Sequence, residues 1–289
     1  MLQTLREIRE KTEGFFVAKG VPNAKLDADL LIAHALKLKR LELYLDLDRP
    51  LTESELEGVR SLVRRRGQRE PLQYILGECV FYNASLTVDA RALVPRSETE
   101  GLIELVIPRL KRAGRILELG TGSGAIALAL ARALLPNSSG SSADCVITAT
   151  DLSAESLQLA ELNRDHLGLS HQVELLQSDW FDRIEAGASF DAILSNPPYL
   201  SEAEYAVAEP EVKDYEPKSA LVAGDAGMAD LKKIIRQAIS FLVSGGFLAL
   251  ETGIDQHAEL IECAQASGYS KMESHCDLSQ RDRYLILHH

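Results

Sequence analysis

Asn196, Pro197, Pro198 and Tyr199 stand in a row after the largely apolar run FDAIL, from which only Ser195 separates them. Two consecutive prolines end a strand, because each lacks a backbone donor and has a fixed φ. Such a stiff loop suits a planar amide or amino nitrogen, which is a poor nucleophile because its lone pair is delocalised. If the Asn196 side-chain oxygen and the Pro197 backbone oxygen accept its two N–H groups, the lone pair is aimed at an electrophile. Tyr199 would offer its ring face to the same planar group, and a simple chain break is the alternative interpretation.

A glycine-rich loop precedes this stretch in the segment ILELGTGSGAIALAL. Glycines between a strand and a helix allow positive φ and a close backbone approach to a ligand. The pattern also fits the dinucleotide signature GxGxxG/A, so at this point a dehydrogenase is a competing interpretation. The predicted cofactor-binding residues of the loop are Gly120, Thr121, Gly122, Ser123 and Gly124.

Acidic residues follow the next two predicted strands. Asp151 ends CVITATD, where an α/β nucleotide fold places a carboxylate on ribose hydroxyls. Asp179 and Trp180 follow QVELLQ, and we expect the indole to lie against an adenine and the Asp179 carboxylate to accept from the adenine amino group. The alternative for Trp180 is a core anchor, since tryptophan is usually mostly buried.

The elements that must position these residues begin after residue 112, where predicted strands and helices alternate. This alternation predicts a doubly wound α/β domain with a mainly parallel sheet, to which the C-terminal residues add an antiparallel hairpin. Because the carboxyl ends of parallel strands share one edge, the glycine loop, Asp151 and Asn196 should meet there. Together they favour an amino-methyltransferase that uses S-adenosylmethionine, with either a nucleic-acid base or a glutamine as substrate.

The first 70 residues read as short amphipathic helices, with Thr52 and Glu55 forming a capping box. The segment RSLVRRRGQRE predicts either a solvated helix end or a partner contact. Its five arginines are Arg60, Arg64, Arg65, Arg66 and Arg69. Residues 71–95 predict a β-hairpin linker with its turn at Asn83. Residues 137–144 predict a stretched loop, and the Pro- and Gly-containing segment 203–227 predicts a lid over the substrate side.

Composition limits the partners. The net charge is −12, and residues 1–70 hold 14 basic and 12 acidic side chains, a net charge of +2 that leaves −14 for the remainder. Such an acidic chain argues against stable nucleic-acid binding. The four cysteines form no CxxC pair, so no metal site is expected, and no apolar run is long enough for a membrane span.

Nearly the whole chain resembles the HemK/PrmC-type glutamine methyltransferases that act on peptide chain release factors. The resemblance is carried by DADLLIAHAL, ALVPRSETE, the glycine loop, SNPPYL and DYEPKSALVAGDAGMADL. It implies a class I methyltransferase, Rossmann-like, with a seven-stranded sheet. It also implies that the glutamine of a Gly-Gly-Gln motif in class I release factors is methylated on its amide nitrogen (N5), giving S-adenosyl-L-homocysteine as the second product. A DNA or RNA amino-methyltransferase is the alternative function, and a protein that binds the cofactor without catalysis is the non-enzymatic one.

One departure from the family pattern concerns the segment PRSETE, where the family usually has a second proline in place of Ser97. Arg96, Glu98, Thr99 and Glu100 are kept, and we expect this segment to line the site. The competing interpretation is a helix start with Ser97 as its cap.

The predicted organisation is a substrate-docking helical domain at 1–70, the hairpin linker at 71–95 and the methyltransferase domain at 96–289. We expect a cytoplasmic monomer that has no membrane association and no metal. Catalysis and substrate binding are assigned to Asn196, Pro197, Pro198 and Tyr199. Cofactor binding is assigned to the five loop residues together with Asp151, Asp179, Trp180 and Asn196.

Overall fold

The computed structural model describes residues 3–110, 114–134 and 145–289. The chain divides into two compact units. The helical unit comprises the chain up to Glu78 together with Glu209–Tyr215, and the sheet unit comprises Cys79–Ala208 and Glu216–His289. The stretched loop predicted at 137–144 lies outside the described residues.

The α-helices and β-strands of the described residues are numbered in chain order. The helices are α1 (Leu5–Ala18), α2 (Ala24–Leu36), α3 (Glu53–Gly67), α4 (Leu72–Leu76), α5 (Ser97–Val106), α6 (Ala125–Leu134), α7 (Ala154–His166), α8 (Glu202–Ala206), α9 (Pro210–Lys213), α10 (Gly224–Gly227), α11 (Ala229–Ala238) and α12 (His257–Ser267). The strands are β1 (Glu78–Phe81), β2 (Ala84–Thr87), β3 (Arg115–Leu119), β4 (Val146–Asp151), β5 (Val173–Gln177), β6 (Phe190–Ser195), β7 (Leu242–Glu251), β8 (Lys271–Cys276) and β9 (Asp282–His288).

The helical unit is built by α1 to α4, with α9 added from much later in the chain. The predicted capping box at the start of α3 is confirmed, because the Thr52 hydroxyl accepts from the Glu55 N–H while the Glu55 carboxylate accepts from Thr52. A second capping box joins Thr4 and Glu7 at the start of α1. The buried apolar face of α2 contains Ala28, Leu31 and Ile32, and these side chains fill the two small cores of the unit.

Two of the arginines of RSLVRRRGQRE, one in the last turn of α3 and one just after it, are internal ion-pair partners, which neither interpretation from the sequence had foreseen. Arg66 is buried and donates to Asp27 at 2.7 Å and to Glu211 at 2.8 Å. Arg69 donates to Glu211 at 2.6 Å and to Glu209 at 2.7 Å. These pairs fasten the segment Glu209–Tyr215 to α3.

The sheet unit contains the predicted doubly wound sheet. Its seven strands lie in the order β5-β4-β3-β6-β7-β9-β8. The first five are parallel, and β9 is antiparallel to β7 and β8. Helices cover both faces, since one core packs α5 and α6 against the sheet and the other packs α11 and α12. The order reverses at β3, so the carboxyl ends of β3, β4 and β6 open onto one crevice.

The predicted hairpin forms, with β1 and β2 paired around Asn83. Tyr82 takes the left-handed conformation, with φ of 52°, at this turn. Phe81 and Leu86 are buried in the core of the sheet unit, so most of the hairpin packs as part of that unit.

The helix predicted at PRSETE begins at Ser97, but the prediction of Ser97 as its cap is wrong. Arg96 holds the N-cap position and makes no side-chain cap hydrogen bond. The Ser97 hydroxyl donates instead to the Glu98 carboxylate at 3.1 Å. Ser97 is therefore the first helical residue, and the extended backbone that a capping residue needs is at Arg96 instead.

Candidate active site

A cavity of about 510 Å³ opens at the carboxyl ends of the parallel strands, and every residue that lines it belongs to the sheet unit. Eight of the nine residues predicted to bind the cofactor line it, and the exception is Gly124. The eight are Gly120, Thr121, Gly122, Ser123, Asp151, Asp179, Trp180 and Asn196.

The glycine loop has the conformation that its composition predicts. Gly120, Gly122 and Gly124 have φ of +71°, +57° and +85°, where side chains are rarely tolerated. A Cβ on Gly124 would lie 2.9 Å from the Leu128 side chain, so this glycine permits close packing of the loop on α6. Gly124 therefore shapes the loop without facing the cavity.

Glu118, which was not predicted as a site residue, holds this loop from beneath. It is the second-to-last residue of β3, and it accepts from the Thr121 hydroxyl at 2.7 Å and from the Ala127 N–H at 3.0 Å. Complete burial, opposed by these two hydrogen bonds, raises the pKa of Glu118 to about 8. An acid two residues before the first glycine, between the apolar residues Leu117 and Leu119, was the available signal.

Asp151 is the last residue of β4, at the strand end where the sequence predicts it, and it faces the cavity. Its two carboxylate oxygens accept from the Gly122 N–H at 2.8 Å and from the Ser153 N–H at 2.9 Å. Burial raises the pKa of Asp151, and the two backbone N–H groups oppose that shift. The carboxylate is thus held in place, with lone pairs left over for ribose hydroxyls.

The position of Trp180 is compatible with both interpretations of this residue from the sequence. The half-buried ring lines the cavity and packs against the core that contains α11 and α12. Its indole N–H donates to Asp230, and the residue adopts φ of 49°. Asp179 is exposed at the rim and pairs with Lys233 at 2.9 Å, so an adenine amino group would share this carboxylate with a lysine.

Asn196, Pro197, Pro198 and Tyr199, here called the clamp sequence, occupy different places. Asn196 and Pro198 line the cavity, whereas Pro197 and Tyr199 are not among the lining residues. The Asn196 Nδ2 donates to the Thr99 hydroxyl oxygen at 3.1 Å. The Tyr199 hydroxyl donates to Glu251 at 3.2 Å, and burial raises the pKa of Tyr199 above its usual value.

Two further residues support the clamp loop from behind. The Gln256 side chain donates from Nε2 to the Tyr199 backbone oxygen at 2.9 Å. Gly227 has φ of +88°, and a Cβ there would lie 2.2 Å from the same oxygen. The sequence offered a signal for Gly227 only through the quoted motif GDAGMADL, whereas Gln256 had none.

The PRSETE segment lines the site in part. Arg96 and Thr99 face the cavity, and the Arg96 guanidinium pairs with Glu216. Glu100 instead accepts from the Tyr82 N–H at 2.8 Å. Three residues of the predicted lid, Pro217, Ser219 and Ala220, also line the cavity.

Within residues 3–110, 114–134 and 145–289, no group of three His, Cys, Asp or Glu side chains has the arrangement of a metal site. Within the same residues, no helix has the length and hydropathy needed to cross a membrane.

The seven-stranded sheet with its antiparallel β9, the glycine loop after β3 and the acid after β4 define a methyltransferase of class I. Residues 110–286 match the family model described as a methyltransferase domain, and residues 7–77 match the PrmC N-terminal domain. The chain belongs to the release factor glutamine methyltransferase family.

Curated relatives with that name align with this chain over nearly the whole length of both proteins. The protein from Rhodopirellula baltica is 38% identical over 98% of this chain and 96% of its own, and that from Chlorobaculum tepidum is 39% identical over 96% and 95%. The release factor glutamine methyltransferase of Escherichia coli is 38% identical over 90% of both chains. Since the relatives share the glutamine methyltransferase name, they do not favour a nucleic-acid amino-methyltransferase.

Solved structures with low sequence identity share the fold. The catalytic domain of hMettl16, crystallised with an MAT2A 3'UTR hairpin, has a TM-score of 0.55 at 16% identity, covering 71% of this chain and 76% of its own. The N-terminal domain of human METTL16 in complex with SAH has a TM-score of 0.50 at 16% identity, covering 82% and 84%.

Proposed function

We propose that this chain transfers a methyl group from S-adenosyl-L-methionine to the N5 side-chain amide nitrogen of a glutamine in class I peptide chain release factors. The glutamine is that of the Gly-Gly-Gln motif. The observation that carries the proposal is the Asn196 side chain, whose Nδ2 is held by Thr99 at 3.1 Å at the wall of the cavity. With its nitrogen engaged, this amide has its oxygen available to a substrate N–H group.

The residues of the cavity fit the proposed cofactor. A volume of about 510 Å³ lies within the usual range of about 300–1,000 Å³ for cofactor sites. The positive-φ glycines allow close backbone approach, and Asp151 retains acceptor capacity for ribose hydroxyls. Asp179, at the rim of the cavity, has acceptor capacity left beside Lys233 for the adenine amino group. When bound, the cofactor supplies a methyl group on a cationic sulfur and leaves as S-adenosyl-L-homocysteine.

The residues of the chain supply position in this mechanism. The Asn196 side-chain oxygen and the Pro197 backbone oxygen each accept one N–H of the substrate amide, and this holds the nitrogen lone pair on one line of approach. Pro198, at the cavity wall, limits the positions that the amide plane can take. The two acceptors also stabilise the positive charge that develops on the nitrogen. The extra proton leaves to water after the transfer.

The release factor is the proposed protein partner. We assign its docking to residues 1–70, whose net charge of +2 contrasts with the −14 of the remainder. The expected monomeric state, the absence of stable nucleic-acid binding and the cytoplasmic location stay predictions, as do the domain limits at residues 70 and 95.

Transfer of labelled methyl from S-adenosylmethionine tests the function. The acceptors are a purified class I release factor, the same factor with its Gly-Gly-Gln glutamine changed to alanine, duplex DNA and ribosomal RNA. We expect label on the unaltered factor alone. Label on nucleic acid would overturn the substrate while keeping the chemistry of the site, and no label on any acceptor would point to a protein that binds without catalysing.

A further inference from the structure

Glu251 is a buried carboxylate beneath the clamp loop that the proposed mechanism does not yet use. It ends β7, whose parallel register with β6 pairs Leu250 with Ser195, the residue before Asn196. Its side chain is almost completely buried. Burial of an acid is costly unless its oxygens receive hydrogen bonds, so this position calls for a reason.

Both oxygens of Glu251 receive hydrogen bonds, one from Thr99 on α5 and one from Tyr199 of the clamp sequence. Oε2 accepts from the Thr99 hydroxyl at 2.7 Å, and Oε1 accepts from the Tyr199 hydroxyl at 3.2 Å. The Thr99 hydroxyl in turn accepts from Asn196 Nδ2 at 3.1 Å. One carboxylate is therefore joined to the first and the last residue of the clamp sequence.

The ionised state of Glu251 determines which group donates and which accepts in each of these hydrogen bonds. An ionised carboxylate can only accept, so Thr99 must spend its single hydroxyl proton on Glu251. The hydroxyl oxygen then has only acceptor capacity left for Asn196, and only the nitrogen end of the Asn196 amide can satisfy it. The amide oxygen is thereby turned to the opposite side.

We propose that Glu251 is a positioning residue for methyl transfer: acting through Thr99, its carboxylate fixes which way round the Asn196 amide lies and keeps the amide oxygen available to the substrate. This inference rests on the role given to Asn196 in the proposed function. It adds that the orientation of the amide is set by a carboxylate that does not itself touch the substrate.

The protonation state of Glu251 provides a signature of this role. A protonated Glu251 can donate to Thr99, and Thr99 can then donate to an Asn196 amide that has turned round and presents its NH₂ to the substrate. Burial raises the pKa of Glu251 and is the largest influence, and Glu98 acts in the same direction. The Thr99 and Tyr199 hydroxyls and Arg283 lower the pKa, but they do not offset the burial. Tyr284 on β9 also faces the carboxylate. Turnover should therefore fall as the pH decreases through a pKa above the usual value for glutamate.

Variants of Thr99 and Glu251 test the proposal in the full-length chain. Thr99→Val keeps the shape but removes the hydroxyl, and Glu251→Gln keeps the shape but removes the obligatory acceptor. For both we expect kcat to fall by about 10- to 100-fold, because misplacement of a reacting group has effects of this size. Dissociation constants for S-adenosyl-L-homocysteine should stay within about twofold, since the glycine loop, Asp151 and Trp180 are unchanged. Thr99→Ser, which retains the hydroxyl, should recover kcat to within about threefold of the unaltered chain.

The pH dependence and a parallel Asn196→Ala variant separate the possible failures. We expect the acid limb of the kcat profile to disappear in Glu251→Gln. Equal kcat losses in Thr99→Ser and Thr99→Val, or full kcat in Thr99→Val, would overturn the positioning role. Loss of S-adenosyl-L-homocysteine affinity in proportion to kcat would do the same, because it would indicate general damage. If Asn196→Ala itself kept its turnover, the proposed clamp would fail as well as the inference built on it.

Discussion

At the scale of single residues, the site depends on two tightly packed positions, Gly227 and Glu118. Gly227 has φ of +88°, and its Cα lies so close to the Tyr199 backbone oxygen that a Cβ would be 2.2 Å away. Glu118 is completely enclosed beneath the glycine loop. Each of these two residues supports a prediction.

Gly227→Ala should displace the clamp loop. Alanine at this φ costs roughly 1–2 kcal/mol, and its Cβ must also move the Tyr199 backbone. We expect kcat to fall by about 100-fold, measured as methyl transfer to the release factor. Gly58→Ala in α3 is the matched control, since nothing lies within 4 Å of its Cβ position, and kcat should be unchanged. Equal activity of the two variants would show that the contact with Tyr199 is not needed.

Glu118 should make the stability of the protein depend on pH. The folded chain keeps this proton up to a pKa of about 8, whereas an unfolded chain releases it near 4.5. Between these values the folded state binds more protons than the unfolded state, so the contribution of Glu118 to stability decreases as the pH rises, by about 1.4 kcal/mol per pH unit.

Free energies of unfolding from denaturant titrations at several pH values between 5 and 8 check this dependence. In Glu118→Gln the decrease should be smaller, because the amide does not titrate. Glu174→Gln, on the exposed side of β5, controls for the lost charge. Parallel curves for the unaltered chain and Glu118→Gln would contradict the prediction.

At the scale of elements, the α/β alternation, the hairpin and the positions of the site residues at strand ends were predictable from the sequence. These features follow from local patterns: strand and helix periods, turn residues, and glycines at a strand-to-helix junction. The bonds between Thr99 and Glu251 and between Arg66 and Glu211 join residues 152 and 145 positions apart. No local pattern encodes such pairs, and this is why Glu251 and Gln256 were missed. Ser97 was misjudged because serine is a favoured cap residue, whereas in the structure the cap position falls one residue earlier, at Arg96.

The end of α3 supports a prediction on stability. Arg66→Ala would leave the buried Asp27 carboxylate without its cation, and loss of one partner of a buried pair typically costs about 3–5 kcal/mol. Arg60 on the same helix pairs with Glu53 at the surface, so Arg60→Ala should change little. Hydrogen exchange of the α2 and α3 amides measures both variants. Comparable effects of the two substitutions would mean that the buried pair gives no special stability.

At the scale of the whole molecule, the cavity is built by the sheet unit alone. A ligand stabilises the state that binds it, by about 2.7 kcal/mol at a concentration of 100 times its dissociation constant. We expect S-adenosyl-L-homocysteine to slow hydrogen exchange chiefly in β3, β4 and β6. Peptides from α1 and α2 serve as the internal control and should exchange at nearly unchanged rates. Equal protection in both groups would contradict the assignment of the cavity to one unit.

The path of the chain through Glu209–Tyr215 sets a condition on the order of folding. The helical unit takes in these seven residues only after the chain has passed through most of the sheet unit. During synthesis, therefore, Arg66 and Arg69 exist for well over a hundred residues before Glu211 is made. A nascent chain that ends before this glutamate has its amino-terminal helices without their last ionic partner. The helical unit, which is translated first, is thus completed late. A genetic exchange at residue 78 would separate its helices from Glu209–Tyr215, which supplies their ionic partner.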